Sequence, residues 1–203
     1  PHLALDPFHP RGPAWDQLGR DESALPYWQF RHRILEEFLA AVPEIAGNFP
    51  KHTLVVRPHP AENHEIWQRA AKNHPNVVVA HEGNVVPLLI GAKAVIHNGC
   101  TTGLEAFLVR TPVIAYTPIS ADEFDEKLPN GVSTEAPNLR ALLELVEIAI
   151  SKAAFPSSPG AQCLAARNVA NYQGGMAADA ILDDVERVAR RDMTSRSPPL
   201  TMK

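Results

Sequence analysis

Residues 94–106 read Ala-Val-Ile-His-Asn-Gly-Cys-Thr-Thr-Gly-Leu-Glu-Ala, and this stretch decides the fold. An apolar, β-branched run passes into a glycine-containing turn and then into helix-forming residues, which predicts a strand, a turn and a helix in succession. The expected helix opens with Thr101 and Thr102, and its first backbone N–H groups have no partner within the helix. A helix start that follows the carboxyl end of a strand indicates an anion-binding site.

A second stretch of the same kind lies earlier in the chain, where Arg57-Pro58-His59-Pro60 follows an apolar run. The two prolines fix the backbone around His59 and limit the directions in which its imidazole can point. An imidazole held in this way can donate to a phosphate and, when protonated, can stabilise a departing phosphate. Arg57 is a further candidate for binding phosphate. The alternative is a surface loop in which His59 bonds only the neighbouring backbone.

Short apolar runs alternate with helical patterns along most of the chain. The runs begin about 20 residues apart, which suits parallel strands joined by short helices. Because the runs are apolar throughout, helices are expected on both faces of the sheet. The sequence therefore predicts the α/β class, with a Rossmann-like, doubly wound parallel sheet. The predicted strands are 53–57, 76–80, 94–97 and 112–116, and the predicted helices are 27–46, 62–72, 85–91, 101–109, 138–153, 161–171 and 176–191.

The pattern predicts one domain over residues 26–191, after an irregular lead-in at 1–25 and before a frayed tail at 192–203. Pro43 is expected to end or kink the first helix. Because the chain begins with Pro1 rather than Met, we expect it to be a segment of a longer protein.

Composition excludes several classes of function. The net charge of −4 over 203 residues gives no basic stripe for nucleic acid. The two cysteines, Cys100 and Cys163, form no disulfide framework and favour a reducing, cytosolic setting. The nine histidines lack the spacing of zinc enzymes, so no metal is expected. The longest apolar stretch, 85–96, is too short to span a bilayer. Cys100 is expected to be a small buried residue rather than a nucleophile, because no base for it is apparent.

The turn at 98–103 supplies the predicted ligand contacts. Gly99 and Gly103 are expected to let a ligand approach the backbone closely. The hydroxyls of Thr101 and Thr102 can donate to phosphate oxygens. The alternative needs no ligand, because Thr102 together with a glutamate three residues later is also the pattern of a capping box.

Three flanking residues complete the predicted site. Glu105 can accept hydrogen bonds from the vicinal hydroxyls of a ribose. His97 and Asn98 end the preceding strand and are expected to reach the ligand. A packed histidine at the edge of the core explains His97 equally well.

Together, Arg57-Pro-His-Pro60, the stretch 94–106 and Arg110-Thr-Pro-Val-Ile-Ala-Tyr-Thr-Pro118 resemble the C-terminal half of a GT-B glycosyltransferase. The similarity is to bacterial surface-carbohydrate and capsule biosynthesis proteins, including sialyl- and polysialyltransferases and CDP-glycerol glycerophosphotransferases. It implies that His59 and the pair Thr101 and Thr102 contact the phosphate of a nucleotide-activated donor. It also implies that Glu105 contacts ribose or sugar.

The chain departs from the pattern of this family in two respects. It has two threonines where the sialyltransferase-like pattern has serines, and residues 1–50 carry no acidic-acidic-glycine motif. The general base is therefore expected outside the chain, in a missing N-terminal domain. The loop at 81–85 corresponds to the loop that holds the nucleotide base in GT-B proteins, although a helix cap at Asn84 explains it equally well.

The resemblance implies the nucleotide-donor-binding domain of a glycosyltransferase-like enzyme of bacterial surface polysaccharide biosynthesis, with His59 as its catalytic residue. The donor would be a nucleotide-sugar or nucleotide-polyol, the acceptor a glycan, and no cofactor would be bound. The setting would be cytoplasmic, at or near the inner face of the membrane. The alternatives are a non-catalytic nucleotide- or glycan-binding module, and a nucleotide-sugar epimerase or hydrolase on the same scaffold.

Overall fold

The computed structural model describes residues 25–59, 62–151, 153–170, 172 and 177–195. The chain divides into two compact units, Pro1–Pro159 and Gly160–Lys203. The predicted lead-in, apart from Leu25, lies outside the described residues, as does the predicted tail beyond Ser195. Among the described helices, none combines the length and the apolar character that crossing a bilayer requires.

Helices and strands alternate through the first unit, and the second unit is helical where it is described. The elements are α1 (Leu25–Asn48), β1 (Leu54–Val56), α2 (His64–Ala71), β2 (Val77–Val79), α3 (Val86–Gly91), β3 (Val95–His97), α4 (Thr101–Leu108), β4 (Val113–Tyr116), α5 (Lys127–Gly131), β5 (Thr134–Ala136), α6 (Leu139–Ile150), α7 (Ala161–Asn168) and α8 (Ala177–Ser195).

The strands are parallel, which confirms the predicted α/β class. They form two hydrogen-bonded sheets, β1–β2 and β3–β4–β5, where the sequence predicts one. The sequence also misses β5 and α5. β5 reads Thr-Glu-Ala and has an exposed glutamate, so it lacks an apolar run, and α5 is a five-residue helix containing Pro129 and Gly131.

Helix α1 packs against both sheets through adjacent parts of one face. Ala41 and Ile45 belong to a buried cluster with residues of β4, β5 and α6. Val42 belongs to a second cluster with α2, and the strands β1 and β2 pack against that cluster. Phe38 and Leu54 contact both clusters. The two sheets are therefore joined by apolar side chains.

The end of α1 differs from the prediction, because the helix continues past Pro43 to Asn48. Proline lacks the N–H that would bond to the preceding turn and ordinarily interrupts a helix. Here the turn that follows is held by tertiary packing, since Ile45 and Ala46 are both buried. Burial of these side chains offsets the missing hydrogen bond.

The β3–β4–β5 sheet has helices on both faces. Ile114 and Tyr116 of β4 face the cluster that includes α1 and α6. Val113 faces the other way, into a cluster with Leu89 of α3 and Ala106 of α4. The β1–β2 sheet is covered less completely, since two of its valines, Val55 and Val78, are exposed.

The carboxyl ends of both sheets point toward the amino-terminal end of α1. At that end, Arg31 contacts Asn98, which directly follows β3. At the other end, Ala46 accepts a hydrogen bond from Asn76, which directly precedes β2. The strands of both sheets therefore run opposite to α1. The residues that follow β1 and β3 consequently lie toward the same edge of the unit.

Asn76 fixes the connection between α1 and β1. Its Nδ2 lies 3.0 Å from Ala46 O, 3.3 Å from Phe49 O and 3.2 Å from His52 O. These carbonyls belong to the end of α1 and the loop that follows, where helical partners run out. One half-buried amide therefore satisfies a whole turn, a role that the predicted strand at 76–80 does not reveal.

We expect Asn76→Asp to destabilise the protein by about 1–3 kcal/mol, because it removes the donor and places carboxylate oxygens against three carbonyl oxygens. Urea unfolding measures the loss. Asn48→Asp is the matched control, because Asn48 is exposed and donates only to Glu44 O, and we expect a change of no more than about 0.5 kcal/mol there. Equal stability of the two variants would contradict the role given to Asn76.

Candidate functional site

The turn between β3 and α4 is anchored by two asparagine amides. Asn98 is buried, and its Nδ2 donates to Tyr116 O at 2.8 Å. The backbone N–H of Gly99 donates to Asn130 Oδ1 at 2.8 Å. Gly99 has a φ of +59°, a conformation that glycine adopts without steric cost. The N–H of Gly99 is thus used inside the protein.

His97 is packed inside the first unit with both ring nitrogens engaged. Its Nε2 lies 2.8 Å from Ser133 Oγ, and Ser133 Oγ lies 2.7 Å from Pro129 O. Because the only hydroxyl hydrogen of Ser133 is donated to that carbonyl, His97 Nε2 must carry the hydrogen of the imidazole. Nδ1 is then an acceptor for the N–H of Cys100, at 3.4 Å.

Burial lowers the pKa of His97 to about 4, so the ring is neutral at physiological pH. Only 5% of the residue is exposed. The structure therefore favours a packed histidine at the edge of the core over one that reaches a ligand. In this position His97 orients the turn that precedes α4.

Gly103 is required by the same imidazole. A Cβ on Gly103 would lie 2.2 Å from His97 Nε2, which is far closer than non-bonded atoms approach. The sequence predicts that this glycine admits a ligand, whereas in the structure the group that approaches its backbone is His97. Gly103 thus lets α4 pack closely on the end of β3.

Helix α4 begins without a side-chain cap. Cys100 is its N-cap and makes no side-chain bond to the helix backbone, so the capping box of Thr102 and Glu105 is not formed. The hydroxyl of Thr102 accepts a hydrogen bond from Cys100 Sγ at 3.2 Å. The backbone N–H groups of Thr101 and Thr102 thus begin a helix with no side chain covering them.

The expectation that Cys100 is buried is wrong, because its side chain is exposed. An N-cap residue lies at the end of a helix, where neighbouring turns cannot cover it. Thr101 is exposed and Thr102 is half-buried. Glu105, in the second turn of α4, is also half-buried, and its contact with ribose or sugar stays a prediction.

Arg31 is a residue at this turn that the sequence does not reveal. It lies on α1, is half-buried, and its Nη1 is 3.4 Å from Asn98 Oδ1. It is separated from Asn98 by 67 positions, and the periodic apolar pattern of α1 gives its polar residues no distinguishing signal. Glu126 also lies against the turn, with its Cβ and Cγ 3.1 Å from the position of a Cβ on Gly99. One cation and one anion therefore flank the turn.

Arg57, at the end of β1, has a structural partner. Its guanidinium donates from Nη1 to Glu82 O at 2.9 Å and from Nη2 to Gly83 O. It therefore holds the loop that follows β2, the loop in which a nucleotide base was expected. Its role in binding phosphate stays a prediction. Asn84 in this loop accepts the N–H of Val86 at 2.9 Å, but α3 itself has no side-chain cap.

His59 follows β1 with an exposed side chain, as an open loop position allows. Desolvation lowers its pKa below the ordinary histidine value, so at neutral pH it is mainly a neutral hydrogen-bond donor. Two further imidazoles lie at this edge, since the rings of His64 and His81 are 4.2 Å apart between centroids. Among the described residues, however, no group of three or more His, Cys, Asp or Glu is arranged to hold a metal ion.

The predicted residues thus form two groups at the same edge of the first unit. His97, Asn98, Gly99, Thr101, Thr102 and Gly103 belong to the β3–α4 turn, and Arg57 and His59 belong to the end of β1. That the two groups share one anion stays a prediction.

We expect Gly103→Ala to destabilise the protein by about 1–3 kcal/mol, because the new methyl group overlaps the His97 ring. Gly47→Ala in α1 is the matched control, because a Cβ at that helical glycine meets nothing within 4 Å. Thermal or urea unfolding compares them. A Gly103→Ala protein as stable as the Gly47→Ala protein would contradict the packing described for His97.

The lowered pKa of His97 predicts a pH dependence of stability. An unfolded histidine takes up a proton near its ordinary pKa of about 6.5, whereas folded His97 does so near 4. Protonation therefore favours the unfolded chain, and stability that is present above about pH 6.5 is lost progressively down to about pH 4. The loss is about 3 kcal/mol.

Unfolding free energies of the wild type and of His97→Gln, measured across this range, isolate the contribution of His97 from that of the other titrating groups. The glutamine side chain retains an N–H donor but does not titrate. We expect the difference in stability between the two proteins to shrink as the pH falls. Parallel pH profiles would contradict the prediction.

Comparison of the chain with protein-family models finds no match. Comparisons with curated proteins and with solved structures find none either. The resemblance to GT-B glycosyltransferases therefore stays a prediction carried by the motifs, and the site is interpreted from its own geometry.

Proposed function

We propose that the first unit is the nucleotide-donor-binding domain of a glycosyltransferase-like enzyme of bacterial surface polysaccharide synthesis. In this proposal its two parallel sheets correspond to the Rossmann-like C-terminal half of a GT-B fold. The ligand is a nucleotide-activated sugar or polyol, and its phosphate binds at the start of α4. The acceptor is a glycan.

The observation that carries the proposal is the uncapped start of α4 at the carboxyl end of β3. The N–H groups of Gly99 and Cys100 are directed to internal acceptors, so the helix start itself offers the free donors. These are the backbone N–H groups and hydroxyls of Thr101 and Thr102. Helix N-termini favour anions through both these donors and the helix dipole.

Arg31 supplies the positive charge in this proposal. Its long contact with Asn98 Oδ1 satisfies at most one of its five N–H donors. No carboxylate within 4 Å of it is found among the described residues, so the guanidinium is available to a phosphate. A guanidinium can engage two phosphate oxygens at once.

His59 lies on the same edge of the unit and can add a donor to the phosphate or to the leaving group. Because the pKa of His59 is lowered, it acts first as a neutral donor. Stabilisation of the developing charge on the leaving phosphate would come from fixed donors and not from a covalent intermediate.

A non-catalytic nucleotide-binding module is the second candidate, favoured by the burial of His97. The imidazole nearest the α4 turn is engaged on both nitrogens and cannot act as a general base. Tight binding of a nucleotide-sugar without its consumption, in the presence of glycan acceptors, would support the module. Transfer by the chain alone would exclude it.

Calorimetry against CMP, CDP, UDP and GDP tests the proposal. We expect at least one nucleotide to bind, and Thr102→Val and Arg31→Gln each to raise its Kd about tenfold or more. Loss of one hydrogen bond to a charged ligand costs about 1.5–3 kcal/mol, which corresponds to such a change. His59→Ala should also weaken binding.

Matched controls come from the opposite edge of the unit. Thr53 and His52 are exposed and precede β1, so Thr53→Val and His52→Ala should leave the Kd unchanged. Failure of every nucleotide to bind would remove the proposal. An effect of Thr102→Val without an effect of His59→Ala would restrict the phosphate site to the α4 turn.

A further inference from the structure

Helix α8 of the second unit exposes a continuous apolar stripe. Ile181, Leu182, Val185 and Val188 are each 59–62% exposed. Their spacing of three and four residues places them on one face of the 19-residue helix. With Ala178 at the preceding position, the stripe has the alternating three- and four-residue spacing of a coiled-coil seam.

The charges of α8 are separated along its length. Residues 179–186 include four acidic residues and no basic residue, and residues 187–191 include three arginines and no acidic residue. A parallel pair of such helices would place acidic residues beside acidic residues and arginines beside arginines. An antiparallel pair places the acidic half of each helix beside the basic half of the other, and it also opposes the two helix dipoles.

The charge of α8 argues against a membrane surface as the partner. Helices that lie on anionic bilayers carry a polar face rich in Lys and Arg. With three arginines against five acidic residues, α8 has a net charge of −2. Its apolar face and its charge pattern fit a helix of complementary charge.

We propose that α8 associates with α8 of a second copy of this chain as an antiparallel pair. The seam places Ala178 of one helix opposite Val188 of the other, and Ile181 opposite Val185. An isolated helix is marginally stable in water and gains most of its stability from packing of its apolar face. A single helix pair is a small interface, so the dimer is reversible and depends on protein concentration.

Analytical ultracentrifugation of the full 203-residue chain over a range of concentrations tests the proposal. We expect a transition from monomer to dimer, and Val185→Glu should weaken association about tenfold or more. Ile90→Glu is the matched control, because Ile90 is an exposed apolar residue of the first unit, and it should leave association unchanged. A chain that stays monomeric, or a dimer lost on Ile90→Glu and kept on Val185→Glu, would overturn the proposal.

A charge exchange keeps the test independent of the folding of α8. Glu186→Arg leaves the stripe intact but places an additional cation in the acidic half, so it should weaken the dimer. Adding Arg190→Glu restores the opposite charges and should recover association, while circular dichroism confirms equal helix content. Unchanged association in the single variant would contradict antiparallel pairing.

Cysteine crosslinking tests the orientation directly. In a Cys100→Ser, Cys163→Ser background, mixing Ala178→Cys with Val188→Cys should give mainly the mixed disulfide on oxidation. Disulfides formed mainly within each variant would indicate parallel pairing and overturn the proposal.

Discussion

The packing of α1 against two separate sheets is the constraint on which the rest of the first unit depends. In the described part of the chain, no backbone hydrogen bonds join β1–β2 to β3–β4–β5. Phe38 and Leu54, which contact both buried clusters, make the connection instead. Apolar contact is not directional, so the relative position of the two sheets is set by the shapes of these side chains. Because His59 follows one sheet and Thr101 follows the other, this packing also determines whether the two residues meet at one ligand.

The turn before α4 shows how internal hydrogen bonds select what a site can offer. The N–H groups of Gly99 and Cys100 are directed toward Asn130 and His97, and Ser133 fixes the tautomer of that imidazole. If His97 were charged, its second N–H would face the N–H of Cys100. The neutral ring therefore maintains the turn geometry, and the free donors are moved one step along the chain, to the start of α4.

The sequence predicts the strand–turn–helix units well because their apolar runs and turn residues are local signals. It does not predict β5, since Thr134-Glu-Ala136 lies beside β4 through pairing and not through an apolar pattern. It places Thr101 and Thr102 at a helix start, but it gives Gly103 to a ligand when the neighbour is His97. Arg31 escapes prediction altogether, because its place at the turn arises from the packing of α1 across 67 positions. Side chains that are brought in by distant elements leave no local pattern.

The charges at the α4 turn limit how much affinity a phosphate alone can provide. Arg31 is partly engaged with Asn98, and Glu126 packs against Gly99 on the same turn. The carboxylate repels an anion while the guanidinium attracts it, and Thr101 is open to water, where the dielectric weakens both effects. A free phosphate would consequently bind weakly. If the site holds a nucleotide donor, most of the binding free energy must come from contacts with the base and the ribose. The loop that Arg57 fixes through Glu82 and Gly83 and the half-buried Glu105 are the places in this unit where such contacts would form.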